Sequence, residues 1–345
     1  MPSPRKSIGL PNGKIVATFS HPVVASLPDS STRDSSLQSQ GIQVYSTRLS
    51  SNNKLIAAGF GDGSLRIYSL ADKRRLTTLG TECRLESGFC SESQTDPRLP
   101  ADNLKPVTAV RWRKDDILLA VDAAGCVLVW ANGRIVEKRQ EKTFESFLTC
   151  DWSSSGASFC AAGAARDILV FDANRVSVVN TLSGHTNRVT ALAHHPSNPN
   201  LLLSASWDQS LILWDIRSHH RVRSTSQVRV AGDSLAFLNE GSSVITGDGK
   251  EVTFRNFVSL EEDKVVQLPG RIHTLTSCKS GFVYGGDING QGVLGAFDNC
   301  GKIRMKPISE SQGGFTGHVW SADASEDIVL AGSSSGQVIV YQLNP

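Results

Sequence analysis

The sequence predicts an all-β fold, a closed ring of repeated four-stranded sheets. A strand, a tight turn and a second strand that ends in an aromatic residue recur seven times along the 345 residues. The closing aromatics are Tyr68, Trp130, Phe171, Trp214, Phe254, Phe297 and Tyr341. The first step between them is 62 residues and the other five are 40–44 residues, close to the period of one propeller blade. Helical periodicity is absent. These observations predict a seven-bladed β-propeller.

Each repeated hairpin has an apolar segment on either side. The preceding segments, predicted as strand a, include 107–112, 147–152, 189–194, 233–238 and 272–277. The following segments, predicted as strand d, are 74–79, 134–139, 176–181, 221–226, 264–269 and 302–307. Each blade is therefore predicted to contain strands a, b, c and d in meander order, with the hairpin as strands b and c.

The seventh blade has no following segment, because the sequence reaches Pro345 directly after strand c. The segment "GKIVATFS", 13–20, is an apolar strand with no blade of its own. We predict that it is strand d of blade seven, which joins the two ends of the ring and removes an open sheet edge. The predicted organisation is a flexible tail over 1–12 and one propeller over 13–345, with an inserted polar loop at about 80–105.

Composition narrows the classes of partner and compartment. The net charge is +2, so nucleic acid is not an expected partner. No stretch approaches the roughly 20 apolar residues that span a bilayer, and no membrane insertion is expected. The seven cysteines lack metal-ligand spacing and are predicted to be reduced thiols. That favours an intracellular protein of the cytoplasm or nucleus, with the cilium also open.

Blade four carries the fullest motif, with "GH" at 184–185 followed by "SASWD" and "LWD". These residues resemble the WD40 repeat family, whose members are propellers. The resemblance implies a hydrogen-bonded structural set made of His185, Ser204, Asp208 and Trp214. It also implies that the d–a loops and b–c turns share one end of the ring, called the top, and that the a–b and c–d turns share the bottom.

A partner-binding patch is predicted on the top face. Its aromatic members are Trp207, Phe60 and Trp320, and its basic members are Lys105, Arg188 and Arg271. Aromatic anchors and arginine suit a protein or peptide partner, including an acidic or phosphorylated one. Two plainer interpretations stay open: Trp207 packs on a neighbouring loop, and the basic residues are ordinary solvated charge.

Catalytic, phosphate-binding and metal-binding motifs are weak throughout the sequence, and we predict no catalytic residue, cofactor or metal ligand. "GFGDG", 59–63, lacks the helix that would complete a phosphate loop and reads as a hairpin turn. Four histidines of blade four, His194, His195, His219 and His220, are the alternative metal candidates. A propeller hydrolase or metal enzyme would need convergent acids or histidines at the central channel, where the repeats place mostly small and apolar residues.

The predicted function is a non-catalytic interaction scaffold, a subunit of a larger multiprotein assembly. The alternative comes from "WDIR", 214–217, which resembles the motif by which some propellers dock as substrate receptors of cullin-type ubiquitin ligases. Its docking residues would be Asp215 and Arg217.

Overall fold

Seven four-stranded antiparallel sheets make up the computed structural model, which describes residues 13–20, 42–80, 105–140, 146–309 and 316–343. Each sheet is one blade, and its strands lie in the order a, b, c, d from the centre outwards. The prediction of a seven-bladed, all-β propeller is confirmed. In the described residues the one helical element is a 3-10 turn at Asn239–Gly241.

The strands follow the chain from blade to blade. Blade one contains β2 (Val44–Leu49), β3 (Leu55–Phe60), β4 (Ser64–Ser69) and β5 (Arg74–Gly80). Blade two contains β6 (Val107–Trp112), β7 (Leu118–Asp122), β8 (Cys126–Ala131) and β9 (Arg134–Gln140). Blade three contains β10 (Phe147–Trp152), β11 (Ser158–Gly163), β12 (Ile168–Asp172) and β13 (Ser177–Leu182). Blade four contains β14 (Val189–His194), β15 (Leu201–Ser206), β16 (Leu211–Asp215) and β17 (His220–Thr225).

The remaining blades continue this arrangement. Blade five contains β18 (Leu235–Leu238), β19 (Ser243–Asp248), β20 (Glu251–Asn256) and β21 (Glu262–Gln267). Blade six contains β22 (Arg271–Cys278), β23 (Gly281–Ile288), β24 (Gln291–Asp298) and β25 (Ile303–Ser309). Blade seven contains β26 (Val319–Ala324), β27 (Ile328–Ser333), β28 (Gln337–Leu343) and, as its outer strand, β1 (Gly13–Ser20).

Blade seven is closed by the amino-terminal strand. β1 runs antiparallel to β28, from the pair Gly13–Leu343 to the pair Ser20–Gln337. One irregularity interrupts the register between Ile15 and Ala17. The prediction that segment 13–20 supplies the last outer strand is confirmed, so the backbone groups of β28 are paired on both sides.

The core lies between neighbouring blades. All seven closing aromatics fall on strand c and are buried. Trp214 of blade four, for example, shares one apolar cluster with Ile168 and Val170 of blade three. The outer strands are mostly exposed, as in β9 and β17. A propeller forms its core from similar small sheets by burying strand c and leaving strand d exposed to solvent.

Strand a of blade five is shorter than predicted. The prediction gave 233–238, whereas β18 begins at Leu235. Asp233 leaves the sheet, makes an isolated bridge to Thr274 of blade six, and places its carboxylate at the ring's centre. The predicted tail over 1–12 and, except for its two ends, the inserted loop of about 80–105 lie outside the described residues.

Candidate functional site

A continuous hydrogen-bonded set links strands b and c of blade four to its d–a loop. Trp214 Nε1 donates to Ser204 Oγ across 2.8 Å, and Ser204 Oγ lies 2.7 Å from His185 Nε2. His185 Nδ1 lies 3.0 Å from Asp208 Oδ2. One neutral imidazole, donating from Nδ1 and accepting at Nε2, satisfies every member. The structure thus brings together the four residues that the WD40 resemblance implied.

The titration of this set follows from its burial. Burial lowers the pKa of His185, and the nearby Asp208 offsets this only in part. For Asp208, burial alone would raise the pKa. Hydrogen bonds from Ser210 and from the backbone of Thr186, together with the neighbouring His185, outweigh it and lower the pKa to about 2. Asp208 is therefore ionised at neutral pH and fixes the top loop of blade four.

Gly184, the glycine of the "GH" pair, has a packing role. A Cβ at this position would lie 2.9 Å from Trp214 Cη2, which is closer than real Cβ contacts come. The glycine lets the d–a loop cross directly over the indole of Trp214. The "GH" signal is therefore explained by close packing and by the hydrogen bonds of His185.

Trp207 and Arg188 form a stacked pair on the top edge of blade four. The backbone N–H of Trp207 donates to the backbone carbonyl of Arg188 across 3.0 Å. The Arg188 guanidinium lies 4.2 Å from the centre of the Trp207 ring. The Trp207 side chain is nonetheless 57% exposed. A cation–π contact of this kind holds an exposed indole in one orientation.

The same backbone position carries basic residues in two other blades. His318 precedes β26, and its backbone carbonyl accepts the backbone N–H of Ser334. The carbonyl of Arg188 accepts the backbone N–H of Trp207 in the same way. Arg271 pairs with Asp287 at the equivalent place in blade six. Arg271 and Arg188 are exposed, as is Lys105 at the start of blade two. The basic residues predicted for the top face therefore point into solvent at the entrances of separate blades.

Two predicted members of the aromatic patch differ from expectation. Phe60 is fully buried, so its assignment to the partner-binding patch was wrong. It pairs with Val44 at the end of β3, and the Arg66 guanidinium covers its ring at 4.2 Å. Trp320 is partly buried, with its ring 4.5 Å from that of His273. Trp207 alone of the three aromatics presents a mostly exposed ring.

The "WDIR" segment lies on the bottom, at the c–d turn of blade four. Asp215 Oδ1 accepts the backbone N–H groups of Arg217 and Ser218, at 2.9 and 3.3 Å. This caps the turn and gives the aspartate an architectural role. The Arg217 side chain is exposed, and its nearest contact with Asp215 is 4.0 Å.

The four blade-four histidines considered as alternative metal ligands have different partners, so they do not form one cluster. His194 is buried beside Asp151, with 3.4 Å between its Nδ1 and the carboxylate. His195 packs against the rings of Phe237 and Phe257. His219 and His220 are exposed, and His219 contacts Asn180.

Charged residues line the central channel, against the expectation of small and apolar inner strands. Arg48 and Arg111 both bind the Asp233 carboxylate, at 2.5 and 2.7 Å. Arg111 also lies 3.7 Å from Asp151, and Arg48 donates to the carbonyl of Ala322. Burial alone would raise the pKa of Asp233, but the two guanidinium groups outweigh it and lower the pKa.

The network continues through the remaining blades. Asp151 accepts the His194 N–H of blade four at 2.7 Å. Asp323 of blade seven accepts the Leu49 N–H of blade one and the hydroxyl of Thr276 in blade six. Burial raises the pKa of Asp323. A cavity of about 270 Å³ adjoins the network. The contacts join all seven blades, and the ion pairs among them link Arg48 and Arg111 to Asp233 and Asp151.

The buried thiol of Cys160 completes this region. Its Sγ lies 3.7 Å from His194 Nε2, in an arrangement that superficially suggests a nucleophile and a base. Burial raises the pKa of Cys160 well above that of a free thiol. The group is fully buried and protonated, which favours packing over reaction. In the described part of the chain, cysteines 150, 160, 278 and 300 are free thiols.

Comparison with known proteins finds a family match in two segments of the chain. The family model described as "WD domain, G-beta repeat" matches residues 33–69 and 176–215. The second segment contains the whole polar set of blade four. The chain therefore contains WD40 repeats. The described part of this WD40 propeller contains no helix with the length and hydropathy needed to cross a membrane.

Three relatives share parts of this WD40 chain. Polycomb protein esc of Musca domestica is 38% identical over 79 residues, 22% of the chain and 18% of the relative. Zinc finger CCCH domain-containing protein 59 of Arabidopsis thaliana is 24% identical over 169 residues, 49% of the chain and 35% of the relative. Periodic tryptophan protein 2 homolog of Dictyostelium discoideum is 27% identical over 214 residues, 60% of the chain and 21% of the relative. Each match covers well under two thirds of the relative's length.

Proposed function

We propose that this WD40 propeller is a non-catalytic scaffold that binds a protein partner on its top face within a larger assembly. The observation that carries the proposal is the exposed Trp207 ring stacked on Arg188. An oriented indole offers a large apolar contact with little loss of side-chain entropy, and tryptophan and arginine are enriched among residues that dominate binding energy. The exposure of Trp207 favours this role over packing on a neighbouring loop.

The charges around the top face favour an acidic or phosphorylated peptide segment. Arg188, Arg271 and Lys105 are exposed at the entrances of blades four, six and two. Guanidinium groups bind carboxylates and phosphates through paired hydrogen bonds. The net charge of the whole chain is only +2, so the attraction would come from local contacts rather than from the field of the whole protein.

Affinity purification from native cells tests the proposal. Full-length protein, Trp207→Ala, Arg188→Ala and Arg217→Ala are compared, and the last is a matched surface control on the bottom of the same blade. Trp207→Ala and Arg188→Ala should lose a shared set of partners that Arg217→Ala retains. A folded Trp207→Ala protein with an unchanged set of partners would refute top-face binding.

The alternative function, substrate receptor of a cullin-type ubiquitin ligase, draws support from the exposed Arg217 at the "WDIR" turn. The same purification distinguishes it. Selective loss of a cullin adaptor from Arg217→Ala, with the partners of the top face retained, would favour the receptor. The free cysteines are consistent with the proposed location in the cytoplasm or nucleus.

A further inference from the structure

Three side chains of the types that bind metal ions come from separate segments and meet on the top face, where blades six and seven adjoin. His273 lies on β22, Asp287 lies near the end of β23, and His318 precedes β26. Asp287 Oδ1 is 2.9 Å from His273 Nε2 and 3.8 Å from His318 Nδ1. The three donor atoms all lie within 4.8 Å of one another. We propose that these residues bind a divalent transition-metal ion, with zinc as the best match.

The spacing suits one shared ion. Ligands held at about 2.0–2.2 Å around a tetrahedral zinc ion stand roughly 3.3–3.6 Å apart. The distances of 2.9 and 3.8 Å from Asp287 Oδ1 lie on either side of that value. Small rotations of the two imidazoles therefore place all three donors on a common centre. His318 is the most exposed of the three, which gives an ion a route from solvent.

The surroundings hold the ligands in place. Gly290 donates its N–H to Asp287 Oδ2, so Oδ1 is the oxygen turned toward the histidines. The Trp320 ring lies 4.5 Å from the ring of His273 and stacks at 6.1 Å on that of His318. Such outer contacts orient metal ligands and strengthen binding. The half-burial of Trp320 is accounted for by this packing.

The ligand set selects the class of ion. Two imidazoles and one carboxylate suit zinc and neighbouring transition metals, whereas magnesium and calcium prefer oxygen ligands throughout. Three protein ligands leave one tetrahedral position for water or for a group from a bound molecule. The positively charged side chain nearest in sequence to the site is Arg271, which is exposed beside His273. The negative charge of the Asp287 carboxylate partly offsets its repulsion of a metal ion.

Zinc titration of the purified full-length protein tests the site. The protein is treated with a chelator, exchanged into metal-free buffer, and titrated with Zn²⁺ against a chromophoric competitor. One ion per chain is expected. His318→Ala and Asp287→Asn should each weaken binding at least about tenfold. His220→Ala, which removes an exposed histidine of blade four, should bind as the wild type does.

Thermal melting separates lost binding from lost folding. Without metal, His318→Ala should melt as the wild type does, and added Zn²⁺ should raise the melting temperature of the wild type but not of the variant. The proposal is overturned by absence of stoichiometric binding, or by unchanged affinity in both His318→Ala and Asp287→Asn. It does not depend on a protein partner at Trp207.

Discussion

Arg48 and Asp233 lie 185 residues apart in the chain, yet Arg48 Nη2 and Asp233 Oδ2 are 2.5 Å apart at the centre of the ring. One residue belongs to blade one and the other precedes β18 of blade five. Because Arg111 of blade two binds the same carboxylate, Asp233 connects three blades across the channel. The contact explains why Asp233 leaves the sheet that its sequence pattern predicts.

Asp233→Ala should destabilise the protein by about 3–5 kcal/mol, because it removes the carboxylate that the largely buried Arg48 and Arg111 guanidinium groups share. Denaturant unfolding measures the loss. Asp72→Ala is the matched control, since it removes the carboxylate of an exposed pair with Arg74. That change should cost less than about 1 kcal/mol. Similar losses in the two variants would contradict a specific role for the channel pair.

Ser204→Ala should cost about 1–3 kcal/mol, because it leaves the buried indole N–H of Trp214 and Nε2 of His185 without their shared partner. Denaturant unfolding is again the measurement. Ser226→Ala, an exposed position in the same blade, should fall within about 0.5 kcal/mol of the wild type. If Ser204→Ala were as stable as Ser226→Ala, the polar set would not stabilise blade four.

Asp208→Asn should remove a pH-dependent part of the stability. The Asp208 pKa is about 2 in the fold and 3.8 in an unperturbed chain. A carboxyl with a lowered pKa contributes stability above its unfolded pKa and loses it as the pH falls through the folded pKa. The stability difference between wild type and Asp208→Asn should therefore be full above about pH 4 and shrink toward pH 2. A difference that stayed constant across this window would refute the assignment.

Phe60→Ala and Trp207→Ala should separate packing from recognition. Phe60 is fully buried, and truncating it should cost about 3–5 kcal/mol. Trp207 is mostly exposed, and truncating it should change stability by less than about 1 kcal/mol. Thermal or denaturant unfolding of both variants checks the contrast. A large loss from Trp207→Ala would mean that the indole supports the fold rather than a partner contact.

The hairpin repeat was predictable because each blade repeats one local pattern. An alternating strand ending in an aromatic such as Trp214 marks strand c, and the spacing between aromatics gives the blade count. The closing strand could be inferred because 13–20 had no blade and blade seven lacked a strand. Phe60 was misassigned because its place beside the b–c turn gives no information on which way the ring points.

The charged network of the central channel has a sequence pattern that was not recognised in the sequence analysis. Arg48, Arg111, Asp151 and Asp323 occupy the same register position of strand a in four blades. A charge inside a short apolar strand, recurring at the period of the repeat, indicates a shared inner surface. The partner Asp233 could not be found this way, because it lies outside its strand.

The proposed metal ligands are beyond local sequence patterns. His273, Asp287 and His318 come from three segments of two blades, and no spacing rule connects them. Their meeting depends on how blades six and seven pack. The conspicuous histidines of blade four, by contrast, are close in sequence but turn to different neighbours. Proximity along the chain was therefore a misleading guide to a metal site.

Closure of the ring by β1 underlies every surface assignment, and hydrogen exchange of β28 (Gln337–Leu343) tests it most directly. The full chain is compared with one that lacks residues 1–20. Pairing with β1 predicts slow exchange across β28 in the full chain, with fast exchange there and a lower melting temperature after truncation. Unchanged protection of β28 and an unchanged melting temperature in the truncated chain would contradict the account.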